Sequence, residues 1–135
     1  MLSKKYRYIK RNLIVKRSIA GLGLFTKESI ERGGFVIEYK GSILTEKEAN
    51  LKGGKYLFET SKNRFIDGSS RKNIARYINH SCLPNCEIEI LRGHICVFSK
   101  RKIKAGEELC YDYDKEYFDE IIKPLGCKCL KCKVK

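Results

Sequence analysis

A chain of 135 residues with 42% hydrophobic content and a formal net charge of +13 can bury one core, and it is too short for two independent domains. Its apolar runs, such as Leu13-Ile14-Val15, are far shorter than the roughly 20 residues that cross a bilayer, which argues against a helical membrane protein. The basic start has no apolar stretch of signal-peptide length behind it, so we expect an intracellular protein.

The positive charge is concentrated at the two ends of the chain. No acidic residue precedes Glu28, and lysines recur between Lys123 and Lys135. Two basic ends predict contact with nucleic acid or with a nucleic-acid-bound partner; a basic surface that only maintains solubility is an equal alternative. An acidic stretch over 107–120 offers a surface for a lysine-rich peptide.

The predicted elements are short and mostly strands. Apolar runs bounded by charge and glycine predict strands over 13–16 and 35–41. The spacing of Thr45 and Glu48 is that of a capping box, which predicts a short helix ending at Gly53-Gly54.

The second half of the chain continues this pattern. Asn73 is expected to cap one helical turn that runs through Ile78. Alternating apolar residues on both sides of Arg92-Gly93 predict a β-hairpin over 87–98. Apolar spacing predicts a helix over 115–122. The chain is therefore predicted to be mostly β.

The first chemical cluster is Gly21-Leu22-Gly23, which follows a predicted strand. Alternating glycines let a backbone approach a ligand closely or adopt positive φ. The string lacks the third glycine of a dinucleotide fingerprint and the lysine of a P-loop. Taken alone, it favours a plain turn.

The second cluster runs from Asn73 to Cys86 and is dense in hydrogen-bonding side chains and thiols in its latter half. Such density predicts either a functional site or a polar core. A nucleophile–base pair of Cys82 and His80 is one hypothesis. It is disfavoured because residues two apart in a loop seldom point at each other, and because a metal competes for Cys82.

The third cluster contains Tyr111 and Tyr113 beside Asp112. Residues at i and i+2 of a strand face the same side. Two phenols beside carboxylates can line a pocket for a cationic amine. The alternative is a pair of tyrosines packed on a sheet face.

The fourth cluster is cysteine-rich. Seven cysteines, an odd number, in a reducing compartment favour metal ligation over disulfides. The close spacing of Cys127, Cys129 and Cys132 predicts three ligands of a tetrahedral zinc site that requires a fourth, and three free surface thiols are the alternative. The candidates for the fourth place are Cys82, Cys86, Cys96 and Cys110, of which Cys96 and Cys110 lie in apolar strands and suit the core.

In this order, the four clusters resemble the SET-domain family of protein-lysine methyltransferases over roughly 12–132. The most specific strings are Arg76 to Cys86 and Gly106 to Tyr113. The resemblance implies a mostly β fold of small twisted sheets and short helices with a C-terminal pseudoknot, where Asn79–Cys82 and Tyr111–Tyr113 meet. It also implies a basic extension over 1–11, a SET domain over 12–115 and a post-SET-like segment over 116–135, with no cysteine-rich pre-SET segment.

The resemblance assigns roles to individual residues. Tyr113 matches the catalytic tyrosine. The lysine channel and its neighbours match Tyr39, Tyr56, Phe58 and Tyr111. The S-adenosyl-methionine site matches Gly21, Leu22, Gly23, Tyr56, Asn79, His80 and Tyr113. The post-SET zinc ion matches Cys82, Cys127, Cys129 and Cys132, which leaves Cys86 to the core.

The implied activity is transfer of a methyl group from S-adenosyl-methionine to a lysine of a basic protein, histone or chromatin-associated, in the nucleus, on a nucleoid or in the cytoplasm. Tyr111 stands where the family carries tyrosine or phenylalanine, which predicts mainly monomethylation, extending to dimethylation. Ser42 stands where many members of the family carry a glutamate. No aromatic residue follows Cys132 in this sequence to cover the adenine of the cofactor. The alternative is a non-catalytic, zinc-stabilised module that binds nucleic acid or methyl-lysine.

Overall fold

The computed structural model describes residues 9–19 and 21–113. Within these ranges the chain forms ten short strands, one α-helix and one 3-10 turn. The elements are β1 (Leu13–Ser18), β2 (Gly21–Thr26), β3 (Phe35–Tyr39), β4 (Ser42–Leu44), α1 (Glu46–Lys52), β5 (Leu57–Ser61), β6 (Arg64–Asp67), the 3-10 turn (Ile74–Tyr77), β7 (Asn79–His80), β8 (Cys86–Leu91), β9 (His94–Ser99) and β10 (Cys110–Tyr111). The mostly β prediction is confirmed. The helix predicted over 115–122 lies outside the described residues.

The strands form four small sheets. β1 and β2 form a hairpin, β3, β9 and β8 form a three-stranded sheet, β4, β6 and β5 form another, and β10 pairs with β7. The predicted hairpin is confirmed as β8 and β9, joined at Arg92 and Gly93, whose φ angles of 51° and 81° are those of a tight hairpin turn. None of the helices within the described ranges has the length and apolarity needed to cross a membrane.

Helix α1 begins as its sequence predicts. The Thr45 hydroxyl accepts the Glu48 N–H at 3.1 Å, and the Glu48 carboxylate accepts the Thr45 N–H at 2.9 Å. Each bond satisfies a backbone donor that the first turn leaves free. The helix ends at Gly53, which has a φ of 64°. Both predicted boundaries are confirmed.

The predicted cap at Asn73 is wrong. A 3-10 turn does follow Asn73, but the Asn73 side chain makes no capping bond. Its carbonyl oxygen accepts the Lys40 N–H at 3.0 Å, and its amide donates to the Gly68 carbonyl at 3.0 Å. The buried Asn73 side chain therefore joins the loop at Lys40 to the loop at Gly68 by pairing a backbone group of each.

The core lies between the sheets and consists mainly of branched aliphatic side chains. Its members are each at most 2% exposed, and they include Leu24, Ile30, Val36, Ile78, Ile95, Val97, Ile103 and Leu109. Burial of one such side chain contributes about 1.5–3 kcal/mol. Cys86 and Cys96 are also buried, as predicted, whereas Cys110 is only partly buried, with its Sγ 3.7 Å from the Asn85 side-chain oxygen.

The last described strand pairs in parallel with β7. Cys110 is opposite Asn79 and Tyr111 is opposite His80, and the Ser81 N–H donates to the Tyr111 carbonyl at 3.1 Å. Asn85 holds the same segment, since its amide donates to the Glu108 carbonyl at 2.8 Å and its oxygen accepts the Cys110 N–H at 3.0 Å. The Asn79–Cys82 and Tyr111–Tyr113 segments therefore meet, as expected.

Candidate active site

One cleft of about 850 Å³ collects most of the predicted site residues. The predicted catalytic and lysine-channel residues that line it are Tyr39, Tyr56, Phe58, Tyr111 and Tyr113. The predicted cofactor residues that line it, apart from these tyrosines, are Gly21, Leu22 and Asn79. Gly23 and His80 do not line it: Gly23 lies next to Leu22 in β2, and His80 Nδ1 accepts the N–H of Tyr113. Residues separated by up to 92 positions thus converge on a single space.

Tyr39 forms a fixed part of the cleft wall. It is 7% exposed at the end of β3, its hydroxyl donates to the Tyr56 carbonyl at 2.8 Å, and its ring centroid is 5.7 Å from that of Phe58. A Cβ at Gly68 would lie 2.2 Å from the Tyr39 ring, so only glycine leaves room for it. Burial raises the pKa of the Tyr39 hydroxyl, with a smaller contribution from Tyr111. Tyr39 therefore remains a neutral, apolar surface.

Tyr111 and Tyr113 lie side by side, as their spacing predicts. Their ring centroids are 4.9 Å apart with an interplanar angle of 48°. The Tyr113 hydroxyl donates to the Ile78 carbonyl at 2.7 Å. A phenol oxygen that donates its proton still has lone pairs to accept an amine N–H. Tyr113 is thus equipped to orient an amine.

The glycine string lies in strand β2 and not in a plain turn. Gly21, with a φ of 99°, pairs with Ser18 at the end of the β1–β2 hairpin, and Leu22 follows at the cleft wall. The Asn79 side-chain amide donates to the Leu22 carbonyl at 3.0 Å and to the Glu108 carboxylate at 2.9 Å. The Gly21–Leu22 backbone and Asn79 therefore form one connected wall.

Gly23 leaves room for a carboxylate. A Cβ at this position would lie 2.3 Å from Oε2 of Glu108, which only a glycine avoids. The other carboxylate oxygen accepts the Ser18 hydroxyl at 2.7 Å. Glu108 was missed as a site residue, although its place in the string Gly106 to Leu109 pointed to it.

Arg76 was also missed. Its guanidinium carbon lies 4.2 Å from the centroid of the Tyr56 ring, and it lines the cleft. Ile78 and Ile88 line the cleft as well and add apolar surface. Arg76 opens the most specific string of the sequence, which was the available signal.

His80 and Cys82 do point at each other, contrary to the sequence-based expectation. His80 Nε2 lies 3.3 Å from Cys82 Sγ, while His80 Nδ1 accepts the Tyr113 N–H at 3.1 Å. Because Nδ1 accepts a hydrogen bond, the single proton of the neutral ring lies on Nε2, which donates towards sulfur. An imidazole in this tautomer cannot take a proton from the Cys82 thiol, so the nucleophile–base hypothesis is not supported.

The His80 contact instead suits a thiolate at Cys82. Burial lowers the pKa of the His80 imidazole, opposed by the nearby Asp112 carboxylate, so the ring stays neutral. A neutral N–H donor beside sulfur stabilises the charge that a metal-bound thiolate carries. The other predicted zinc ligands, Cys127, Cys129 and Cys132, lie outside the described residues. Among residues 9–19 and 21–113, no group of three or more potential ligands is disposed to hold a metal ion.

The cleft fits the cofactor that the resemblance implies. Pockets for small molecules occupy roughly 300–1,000 Å³, and about 850 Å³ accommodates a nucleoside cofactor beside a lysine side chain. The absence of a Cβ at Gly21 leaves the neighbouring backbone open to a ligand. Backbone groups near Leu22 and the side chain of Asn79 are the polar groups available to hold it.

Comparison with known proteins agrees with this geometry. The SET domain family model matches residues 21–114. The chain belongs to the SET domain family. This confirms the resemblance and the fold class that it implied.

Similar proteins are large histone-lysine methyltransferases. The chain is 38% identical to histone-lysine N-methyltransferase trr of Drosophila melanogaster over 97% of its length and 6% of that protein. It is 35% identical to human histone-lysine N-methyltransferase 2B, over 95% of the chain and 5% of the relative. It is 38% identical to the histone-lysine N-methyltransferase, H3 lysine-4 specific, of Schizosaccharomyces pombe, over 80% of the chain and 13% of the relative. The chain thus spans only a small part of each relative.

Proposed function

We propose that this SET domain is an S-adenosyl-methionine-dependent protein-lysine N-methyltransferase. One observation supports this most strongly: the aromatic residues predicted for the lysine channel, the predicted catalytic Tyr113 and the wall built by Leu22 and Asn79 share a single cleft. Relatives with methyltransferase names support it further. A non-catalytic module has no need to place both sets of residues together.

The first task of the cleft is to supply a neutral amine. A lysine amine in water has a pKa near 10.4 and is protonated at neutral pH. The aromatic walls formed by Tyr39, Phe58 and Tyr111 remove water from the amine, which disfavours the charged form. The bound cofactor supplies an electrophilic methyl group on a positively charged sulfur, and that charge disfavours the ammonium further.

The second task is orientation. Tyr113 accepts an N–H of the amine and directs the nitrogen lone pair towards the methyl carbon, while Leu22 and Asn79 hold the cofactor. The nitrogen–carbon bond forms as the carbon–sulfur bond breaks, and the proton lost earlier from the ammonium goes to solvent. Tyr113 is not required as a base, because a phenol is protonated at neutral pH.

The substrate that we propose is a lysine-rich protein of the histone class. Exposed carboxylates of Glu59 and Asp112 lie at the cleft and favour a basic peptide. The relatives are named for histone lysines, and the Schizosaccharomyces pombe relative for lysine 4 of histone H3. With such a substrate, we expect the protein to act on chromatin. We further propose that its basic ends contact nucleic acid there.

Radiolabelled S-adenosyl-methionine tests the activity and the substrate together. The protein is incubated with core histones and, separately, with host-cell extract, and labelled lysines are identified by mass spectrometry. Labelled histone lysines are expected. Labelled lysines found only in a non-histone protein would contradict the proposed histone substrate. Binding of S-adenosyl-methionine without any labelled lysine would refute the proposed activity. No binding of S-adenosyl-methionine would favour the non-catalytic module.

The product is proposed to be mainly monomethyl-lysine, extending to dimethyl-lysine. The Tyr111 ring lies 4.9 Å from that of Tyr113, so its hydroxyl and any water it binds occupy space near the amine. Tyr111→Phe is expected to shift the product distribution towards higher methylation. An unchanged distribution by mass spectrometry would contradict this assignment.

We also propose one structural zinc ion, held by Cys82 and by Cys127, Cys129 and Cys132 of a post-SET-like segment over 116–135. The N–H of His80 that points at Cys82 supports a thiolate there. Elemental analysis should find one zinc ion per chain and a loss of zinc in Cys82→Ser. A metal-free protein that is folded and fully active would contradict it.

A further inference from the structure

Arg76 is a charged residue of the cleft that the roles assigned above do not use. It belongs to the 3-10 turn, and its guanidinium carbon lies 4.2 Å from the Tyr56 ring centroid and 5.1 Å from that of Tyr77. All three residues line the cleft. Contacts with two aromatic faces restrain a guanidinium by packing and by cation–π attraction.

The charge of Arg76 has no partner of opposite sign in the described part of the chain. The ion pairs found there involve other residues. The buried Nε of Arg76 has no hydrogen-bond partner among these residues, and Nη1 makes only a long contact of 3.4 Å to the Tyr77 hydroxyl. A guanidinium does not lose its proton at any pH at which proteins function. Arg76 is therefore a permanent positive charge at the cleft with no ion-pair partner among the described residues.

Other charged groups of the cleft are exposed to water. The Lys55 ammonium is 5.3 Å from the Tyr56 ring on an exposed residue, and Glu59 is also exposed. The Asp112 side chain is 61% exposed and 3.6 Å from His80 Nδ1. The remaining titratable groups are phenols, namely Tyr39, Tyr56, Tyr77, Tyr111 and Tyr113. Water screens exposed charges strongly, so the charge of the partly buried Arg76 is screened less than those of Lys55, Glu59 and Asp112.

Arg76 acts on the predicted lysine channel at Tyr39. Burial, reinforced by Tyr111, Tyr56 and Asp67, raises the pKa of the Tyr39 hydroxyl, and Arg76 opposes that rise as the smallest of these influences. A cation that favours a phenolate at this place also disfavours an ammonium there, since both effects follow from the same potential.

We propose that Arg76 promotes loss of the proton from the bound substrate lysine by like-charge repulsion, before the methyl group is transferred. The inference rests on the proposed function. The proton leaves to solvent, and the lone pair that it frees is the one that forms the bond to the methyl carbon. For a separation of roughly 8 Å and an effective dielectric constant of about 20, the repulsion lowers an amine pKa by about 1.5 units.

The test is the pH profile of the single-turnover rate, which isolates the chemical step. Wild type, Arg76→Gln and Arg76→Lys are compared with S-adenosyl-methionine and a histone H3 tail peptide. In Arg76→Gln, the inflection of the pH–rate profile should move to a pH about one unit higher. The single-turnover rate should then fall about tenfold at neutral pH and recover at high pH. Arg76→Lys retains a charge and should shift the inflection less. Arg32→Gln, which removes an exposed arginine outside the cleft, should leave it unchanged.

Several results would overturn the proposal. A loss of rate in Arg76→Gln by the same factor at every pH would indicate a purely structural role. An unchanged inflection with weaker binding of both S-adenosyl-methionine and S-adenosyl-homocysteine would assign Arg76 to the cofactor carboxylate. A wild-type protein that methylates no lysine would instead refute the proposed function and the inference with it.

A second measurement does not depend on the folding of a variant. The pKa of the peptide lysine is measured by NMR in the wild-type complex with S-adenosyl-homocysteine, which lacks the sulfonium charge. It should stay below that of the free peptide. An unshifted lysine in this complex would overturn the role of Arg76.

Discussion

The side-chain amide of Asn79 donates a hydrogen bond to the carboxylate of Glu108 at 2.9 Å, across 29 positions of sequence. The same amide donates to the Leu22 carbonyl, so Glu108 fixes both the Asn79 side chain and the strand that carries the glycine string. A charged acceptor makes such a bond stronger than a neutral one. The wall formed by Leu22 and Asn79 thus depends on a residue that does not line the cleft.

Glu108→Gln should weaken S-adenosyl-methionine binding by roughly three- to thirtyfold, because an amide leaves one of two donors, Ser18 or Asn79, without an acceptor. Calorimetric titration measures the dissociation constant. Glu87→Gln, at an exposed position of β8, is the matched control and should bind normally. Equal affinity of wild type and both variants for S-adenosyl-methionine would show that Glu108 does not support the cofactor site.

Gly23→Ala should lower the free energy of unfolding by about 1–3 kcal/mol, because its Cβ would meet Glu108 at 2.3 Å. In a Glu108→Ala background the same change should cost less than about 1 kcal/mol, since the carboxylate is gone and only Ser18, at 3.1 Å, remains close. Urea unfolding of the four proteins completes the cycle. Strict additivity would show that the two residues do not compete for space.

Tyr113→Phe should reduce the methyl-transfer rate by a factor of about 10²–10⁴ while the protein stays folded. The hydroxyl makes a bond to the Ile78 carbonyl at 2.7 Å, whose loss costs only about 1 kcal/mol of stability. Rate and thermal unfolding are measured on the same preparation. A variant with normal turnover would exclude Tyr113 as the orienting group.

The free energy of unfolding should decrease at alkaline pH because the buried Cys86 thiol stays protonated in the folded state. Burial, reinforced by Cys110, raises the pKa of the Cys86 thiol from 9.0 to about 12. The folded state then holds a proton that the unfolded state has lost, so this contribution is complete below about pH 9 and declines by about 1.4 kcal/mol per pH unit above it. The advantage of wild type over Cys86→Ala in urea unfolding should shrink accordingly. A constant difference from about pH 8 to about pH 11 would contradict the sign of the shift.

Local features of the fold were predictable and long-range ones were not. The capping box at Thr45 and the hairpin at Arg92-Gly93 involve neighbours in sequence, so their patterns determine them. Asn73 has the residue type of a helix cap, yet its side chain binds Lys40 and Gly68 because tertiary contacts left those groups unpaired.

The candidate site divides in the same way. Side chains that face the cleft, such as Tyr111 and Tyr113, belong to motifs that a single sequence displays. Glu108 and Arg76 also belong to such motifs, but the strings do not identify their partners, because Asn79 and Tyr56 lie far away in the chain. The contact of His80 with Cys82 could not be predicted either, because it depends on the backbone conformation between the two residues.

The central claim is that one cleft receives both the cofactor and the lysine amine. A bisubstrate analogue, in which the adenosyl group is joined to a lysine side chain, tests it directly by calorimetric titration. It should bind one molecule per chain, exclude both S-adenosyl-methionine and peptide, and lose affinity in both Asn79→Ala and Tyr56→Ala. An analogue that competes with only one ligand, or that is indifferent to either substitution, would contradict the shared cleft.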